Sequence, residues 1–165
     1  MPSPRILAHP LSVMRLPHVT PLAHPPLYFF TACTANRRPL LANAEAFGVL
    51  LNLWTTSAER DGWFVGRFML MPDHVHLFAQ PATHGARLRE AWLKMWKSVS
   101  SRQLAVHLGF PPPLWQPDTF DHLLRSAESY TAKWDYVRAN PVRAALVPHS
   151  DTWPWQGEVH RLAFR

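Results

Sequence analysis

Two histidines separated by one residue form the first pattern in this chain that could do chemistry. His74 and His76 lie in residues 74–80, where polar and apolar side chains alternate as in a β-strand. Side chains two positions apart in a strand point to the same face, so both imidazoles should converge on one patch, as two ligands of one divalent metal must. Because the chain contains 10 His, an incidental surface pair is the competing interpretation.

A tyrosine near the C-terminal end is the second candidate, as a nucleophile. Apolar periodicity predicts a helix from Tyr130 to Asn140, in which Lys133, Tyr136 and Asn140 share one face. A phenol attacks only when a base or nearby positive charge helps it to lose its proton, and Lys133 would supply such a charge. The plainer alternative is a surface aromatic on an amphipathic helix.

Positive charge indicates a polyanionic partner. The chain has 17 Lys and Arg against 11 Asp and Glu, a formal net charge of +6. Such a surface attracts nucleic acid, although a basic surface without a partner would give the same count. Trp and Phe side chains are candidates for stacking on unpaired bases. The candidate phosphate contacts are Arg37, Arg38, Lys94, Lys97, Lys133, Arg138 and Arg143.

The elements that must position these residues alternate along the chain. Strand patterns occupy residues 27–34, 63–70, 74–80 and 119–124. Helical periodicity occupies residues 42–60, 87–108 and 130–140. This order predicts an α+β fold, a four-stranded antiparallel sheet with two helices on one face, plus an extra C-terminal helix that carries Tyr136.

Composition divides the chain into three regions. It also argues against a disulfide-bonded protein and against a membrane-spanning one. Residues 1–26 are rich in Pro and His and predict an irregular arm, residues 27–147 a catalytic domain, and residues 148–165 a wrapping tail. The single cysteine, Cys33, excludes an intrachain disulfide and fits a reducing cytoplasm. No apolar run approaches the roughly 20 residues of a membrane-spanning helix, and Pro and His interrupt any signal core. We therefore expect a cytoplasmic protein without a membrane partner.

Five segments, taken in order, carry a family resemblance. They are TACTANRRPL (31–40), MPDHVHL (71–77), WQPDTFDHLLRS (115–126), YVRANPVRAALV (136–147) and DTWPW (151–155). Together they resemble the REP-associated tyrosine transposases, which belong to the wider group of single-tyrosine His-hydrophobe-His transposases. The resemblance covers about residues 27–156, most of the chain.

The resemblance implies a ferredoxin-like sheet that bears the two histidines, with the nucleophilic tyrosine on a following helix. Position by position, His74 and His76 match the metal pair, and Tyr136 matches the nucleophile four residues before an Asn-Pro pair. Asn140 matches a polar third ligand. The implied cofactor is Mg²⁺ or Mn²⁺, and the implied partner is single-stranded or hairpin DNA beside palindromic repeats.

The expected function is that of a metal-dependent single-stranded-DNA endonuclease and strand-transferase, associated with the nucleoid, which works through a 5′-phosphotyrosine intermediate. A catalytically silent or domesticated protein that binds structured DNA is the alternative, and monomer and homodimer both remain open. The chain departs from the family pattern at Asp118 and Thr119, where basic, glycine or aromatic residues are common, and in its N-terminal arm. Both departures bear on DNA specificity.

Overall fold

The computed structural model describes residues 25–164, so the predicted arm at residues 1–26 lies outside the described residues except for its last two. The strands are β1 (Leu27–Cys33), β2 (Trp63–Leu70), β3 (His74–Pro81), β4 (Phe120–Leu124) and β5 (Gln156–Glu158). The helices are α1 (Ala44–Asp61), α2 (Arg89–Leu108), α3 (Ala127–Arg138) and the short α4 (Asn140–Arg143). None of these helices is both long and apolar enough to cross a lipid bilayer.

The strands form one antiparallel sheet in the order β4-β1-β3-β2-β5. The α+β class is confirmed, but the four-stranded, ferredoxin-like layout expected from the sequence needs correction, because the tail adds β5 beside β2. β5 is only three residues long and reads Gln-Gly-Glu. So short a segment has no apolar alternation, and its pairing with β2 could not be predicted from the chain.

One face of the sheet is covered by α1 and α2. Val75, Leu77 and Ala79 point into this core, as the strand alternation predicts. Tryptophans from both helices and from β2 fill the space above them, and Trp63 and Trp92 stack with ring centroids 4.5 Å apart. Because aromatic rings bury large apolar areas, this layer stabilises β3 from the face opposite the histidines.

The opposite face, which carries the histidines, is covered in part by α3 and the tail. Phe78 is fully buried there against Tyr130 of α3, and Trp153 of the tail joins the same cluster. This face is therefore closed at Phe78, whereas His74 and His76 remain partly exposed.

The helices begin and end where local chemistry favours it. The side chain of Asn43 accepts the Ala46 N–H at 2.9 Å at the start of α1, and Gly62 ends that helix with φ +70°. Ser126 accepts the Ser129 N–H at 3.0 Å at the start of α3. These caps define the entry of α3, the helix that carries Tyr136.

The helix that carries Tyr136 ends two residues earlier than the sequence pattern predicts. It was expected to reach Asn140, but α3 ends at Arg138 and a separate turn, α4, starts at Asn140. Pro141 lacks an N–H and crowds the preceding residue, so it is accommodated in the first turn of a new helix rather than inside the old one. The regular helix is therefore interrupted between Tyr136 and Asn140.

Candidate metal centre and nucleophile

The two histidines of β3 meet at their outer ring nitrogens. The Nε2 atoms of His74 and His76 lie 3.2 Å apart. Two nitrogens at this separation, each about 2.1 Å from one ion, subtend an angle of about 100° at it, between octahedral and tetrahedral values. The pair is therefore spaced as two ligands of one metal ion should be.

The inner nitrogens of both rings are already engaged. Asp73 Oδ1 lies 2.7 Å from His74 Nδ1, and Thr31 Oγ1 lies 2.8 Å from His76 Nδ1. A carboxylate only accepts, so His74 carries a hydrogen on Nδ1, and the neutral ring then presents an Nε2 lone pair. Such outer partners are the usual means of orienting a metal-binding histidine.

The same reasoning fixes the tautomer of His76. The Asn140 amide nitrogen, which can only donate, lies 3.1 Å from His76 Nε2. His76 Nε2 is therefore an acceptor, and Nδ1 donates to Thr31. His74 Nε2 lies 3.2 Å from His76 Nε2, so a proton or a cation held between the two nitrogens would satisfy both.

Burial and surrounding charge keep His76 neutral. Burial, followed by the positive charge of His74, Lys133, Arg143 and Arg37, lowers the pKa of His76 to about 3. A neutral imidazole is the form that binds a metal. Partial burial acts to raise the pKa of Asp73, but its hydrogen bond to His74 and the charges of His74 and Arg37 outweigh this and hold it below its usual value.

Asn140 reaches the histidine pair from α4. Its amide nitrogen faces His76, while its Oδ1 accepts a hydrogen bond from Arg143 Nη2. Ligation through Oδ1 would require the amide to turn over and to release Arg143. Within residues 25–164, no three His, Cys, Asp or Glu side chains are grouped to hold a metal. A third ligand would therefore come from this amide or from water.

Tyr136 stands on the exposed surface of α3, and its side chain is not part of the core. It is 63% exposed, and the Arg143 guanidinium lies 4.3 Å from its ring centroid. Arg143 also donates to the Tyr136 carbonyl at 2.9 Å, which fixes the guanidinium over the ring. The tyrosine is thus accessible and close to a permanent positive charge.

A chain of contacts connects Tyr136 to the histidines. The Lys133 ammonium lies 5.9 Å from the Tyr136 ring and 5.3 Å from the Phe29 ring. Phe29 in turn stacks on His76, with centroids 5.4 Å apart and an interplanar angle of 18°. Tyr136, Lys133, Asn140 and the histidine pair therefore belong to one surface region, which we call the site face.

The other basic residues proposed from the sequence have different surroundings. Arg37 forms an ion pair with Asp73 at 2.9 Å, so it supports the partner of His74. Arg38 donates to the Pro113 carbonyl at 2.8 Å and lies over Phe110. Arg138 pairs with Asp151 of the tail. These side chains all have partners within the protein.

Lys97 and Lys94, both on α2, differ in exposure. Lys97 is buried, and its ammonium donates to the Pro117 carbonyl at 3.0 Å and to Thr119 Oγ1 at 2.9 Å. Lys94 is exposed. It borders a groove of about 640 Å³ between α2 and residues 112–119, which is lined by neither histidine nor by Tyr136. The candidate chemistry lies on the site face and not in this groove.

Three residues of the site face were missed by the sequence reasoning. Thr31 and Phe29 lie on β1, and their relation to His76 depends on the register of β1 against β3, which the sequence does not reveal. Asp73 had a local signal, because it directly precedes His74. A carboxylate next to a candidate metal-binding histidine is a typical orienting partner.

Comparison with known proteins supports the resemblance stated from the sequence. No family model matches the chain. A REP-associated tyrosine transposase of Escherichia coli (strain K12) is 24% identical over 129 residues, which cover 78% of this chain and 73% of the relative. The resemblance to REP-associated tyrosine transposases is thereby confirmed.

Two solved structures share the fold. A REP-associated tyrosine transposase bound to a REP hairpin superposes with a TM-score of 0.64 and 21% identity, over 81% of this chain and 76% of that one. A protein of Deinococcus radiodurans R1, provisionally assigned as a transposase, gives a TM-score of 0.53 and 21% identity, over 72% of this chain and 92% of the other.

Proposed function

We propose that this chain is a metal-dependent single-stranded-DNA endonuclease and strand-transferase of the transposase kind, which cleaves beside hairpin-forming repeats through a 5′-phosphotyrosine on Tyr136. One observation carries the proposal: the Nε2 atoms of His74 and His76 lie 3.2 Å apart on the same face as an exposed tyrosine. Similarity to transposases, one of them bound to a REP hairpin, supports it.

The donor set fits a divalent cation. His74 and His76 would hold the ion through Nε2, and Asn140 would add Oδ1 once its amide has turned. Imidazole nitrogens favour Mn²⁺ over Mg²⁺, although an amide oxygen and water suit both ions. When bound, the ion supplies Lewis acidity that polarises a non-bridging oxygen of the scissile phosphate.

Tyr136 supplies the nucleophile. Its Oη attacks phosphorus and forms a new P–O bond, while the bond from phosphorus to the 3′ oxygen breaks. The phenolic proton is balanced by the proton that the departing oxygen takes up, so the products are a 5′-phosphotyrosine and a free 3′-hydroxyl. Attack by the same or another 3′-hydroxyl reverses the step, and because each step exchanges one phosphodiester for another, no ATP is consumed.

Lys133 and Arg143 assist by charge. Both lie over the Tyr136 ring, where their positive charge favours the phenolate and the negative charge that gathers on the phosphate during attack. They also attract the DNA backbone to the site face, in keeping with the net charge of +6. In this role they are contacts to phosphate and do not read the base sequence.

The orientation of Asn140 favours one alternative, a protein that binds structured DNA without cutting it. Its amide nitrogen faces His76 and satisfies the lone pair that a metal would use. A chain locked in this arrangement would bind hairpins through its basic surface and form no covalent product.

A denaturing gel separates the two functions. The protein is mixed with Mn²⁺ and with hairpin oligonucleotides copied from inverted repeats around its gene, labelled at the 3′ end. We expect a labelled protein–DNA adduct with the wild type, because the fragment that carries the 5′ phosphate stays on Tyr136. Tyr136→Phe and His76→Ala should abolish it.

Tyr28→Phe is the matched control, because Tyr28 lies on β1 and packs toward the helix-covered face. It should form the adduct at the wild-type rate. An adduct that persists in Tyr136→Phe contradicts the choice of nucleophile. Hairpin binding without any adduct, at all metal concentrations, favours the silent DNA-binding protein instead.

A further inference from the structure

A row of side chains crosses three strands next to the histidines. Strand register places Phe120 of β4 opposite Thr31 of β1, and Thr31 opposite His76 of β3. Residues paired in this way point to the same face of a sheet. Since neighbouring strands are about 4.8 Å apart, the Phe120 and His76 backbones are separated by about 10 Å across the sheet.

Phe120 is unusually exposed for its position. It is 61% exposed and lies on β4, the outermost strand on this side of the sheet. Edge strands usually carry charge, proline or a covering element, which prevents unwanted pairing. Phe120 is thus an exposed aromatic ring on an edge strand, in register with His76 of the candidate metal centre. Its ring surface is available to bind a partner.

The surroundings of this ring favour a polyanion with flat apolar groups. His122, two residues further along β4, lies opposite Phe29 and is also exposed. The Lys133 ammonium lies over Phe29, which is two residues from Thr31 on the same face of β1. Aromatic rings and cations on one surface are the combination by which proteins hold single-stranded nucleic acid, with bases on the rings and phosphates on the charges.

We propose that Phe120 is a stacking platform for an unpaired nucleobase adjacent to the phosphate bound at His74 and His76. This inference rests on the proposed function and deepens it, since it assigns a binding role to the β4 edge. In a duplex each base is already stacked on its neighbours, so the platform selects single strands. A phenyl ring has no hydrogen-bonding group, so the contact tolerates any base.

Metal-free binding tests the platform separately from cleavage. Fluorescence anisotropy is measured with a fluorescein-labelled, 12-nucleotide single-stranded oligothymidylate in EDTA. Phe120→Leu keeps an apolar side chain but removes the flat ring, and we expect its affinity to fall about fivefold or more, as for the loss of one base–aromatic stack. Phe120→Tyr keeps the ring and should bind like the wild type.

Leu88→Ala is the control for general loss of exposed apolar surface, because Leu88 is 77% exposed and precedes α2. Its affinity should not change. Circular dichroism should show the same melting temperature for all variants, since Phe120 is on the surface. Equal binding by Phe120→Leu and the wild type, or equal weakening in Phe120→Leu and Phe120→Tyr, overturns the proposal.

Photocrosslinking gives a second readout. The oligonucleotide is substituted with 5-iodouracil, irradiated with the protein, and digested with trypsin. We expect the cross-link at Phe120, within residues 103–125, and its loss in Phe120→Leu. Cross-links confined to other residues overturn the platform, as does Phe120-dependent self-association without DNA binding.

The outcomes also separate the two proposals. If binding depends on Phe120 but no Tyr136 adduct forms, the proposed cleavage is contradicted and the stacking platform is supported. If an adduct forms but binding does not depend on Phe120, only the stacking platform is contradicted.

Discussion

At the scale of single residues, the site depends on which ring nitrogen of each histidine carries a hydrogen. Thr31 fixes this for His76 through a contact of 2.8 Å to Nδ1. In Thr31→Val the hydroxyl is replaced by a methyl group of similar size, so His76 can take the other tautomer. We expect Mn²⁺ affinity to fall about 10- to 100-fold, the usual cost of losing such a partner.

Isothermal titration calorimetry with Mn²⁺ measures this loss, and Thr31→Ser provides the control because it keeps the hydroxyl. The serine variant should bind like the wild type. Wild-type affinity in Thr31→Val would show that Thr31 does not orient the histidine.

Asn140 offers a second test at this scale, because a metal ligand at Oδ1 and a hydrogen-bond donor at the amide nitrogen respond differently to substitution. If Oδ1 is the third ligand, Asn140→Asp keeps an oxygen ligand and gains charge, so Mn²⁺ should bind at least as tightly as in the wild type. Asn140→Ala should then bind more weakly, with water in place of the amide. The same titration decides, and equal weakening in both variants would show that the amide acts only as a hydrogen-bond donor.

The sequence alone indicated most of the candidate reacting residues, but little of what orients them. The His74 and His76 pair, Tyr136 and Asn140 came from spacing and resemblance, and the structure places all four on the site face. Thr31 required knowledge of strand register. Charge was also an incomplete guide, because Lys97 has the charge of a phosphate contact, yet its hydrogen bonds serve the neighbouring loop.

At the scale of elements, the break between α3 and α4 brings Asn140 to His76, and the start of α3 determines where Tyr136 lies. Ser126 caps that start by accepting the Ser129 N–H at 3.0 Å. Ser126→Ala leaves this donor without its partner and should lower the free energy of unfolding by about 1 kcal/mol. Urea unfolding followed by circular dichroism measures the change.

Ser126→Asp retains an acceptor and places negative charge at a helix N-terminus, so its stability should stay close to that of the wild type. An equal loss in both variants would indicate that packing around Ser126, rather than the cap, stabilises α3. Adduct formation by each variant then reports whether the helix start also controls Tyr136.

Element boundaries were predictable only where a local signal marks them. Asn43, Gly62 and Ser126 mark helix ends, and the structure agrees at each. Pro141 signalled an interruption, but the sequence did not show that the chain would resume as α4. β5 had no local signal, since its position depends on the tail reaching β2.

At the scale of the whole molecule, the two faces of the sheet differ in packing and in exposure. The face under α1 and α2 is a packed aromatic layer that supports β3. The site face combines a small apolar cluster, formed with α3 and the tail, with partly exposed polar and charged groups. Such a division lets the rigid layer position the histidines while part of the other face stays exposed.

The charge of that face should determine how DNA binding responds to salt. Single-stranded DNA releases counterions when cations contact its phosphates, so the slope of log affinity against log salt changes by about 0.7 for each contact. Lys133→Gln should therefore weaken binding of oligothymidylate and make the slope shallower by about 0.7. Arg102→Gln removes one positive charge on α2, on the opposite side of the sheet, and should leave the slope unchanged. Anisotropy titrations between low and moderate salt measure both slopes. Equal changes in the two variants would mean that DNA responds to the net charge of +6 rather than to the site face.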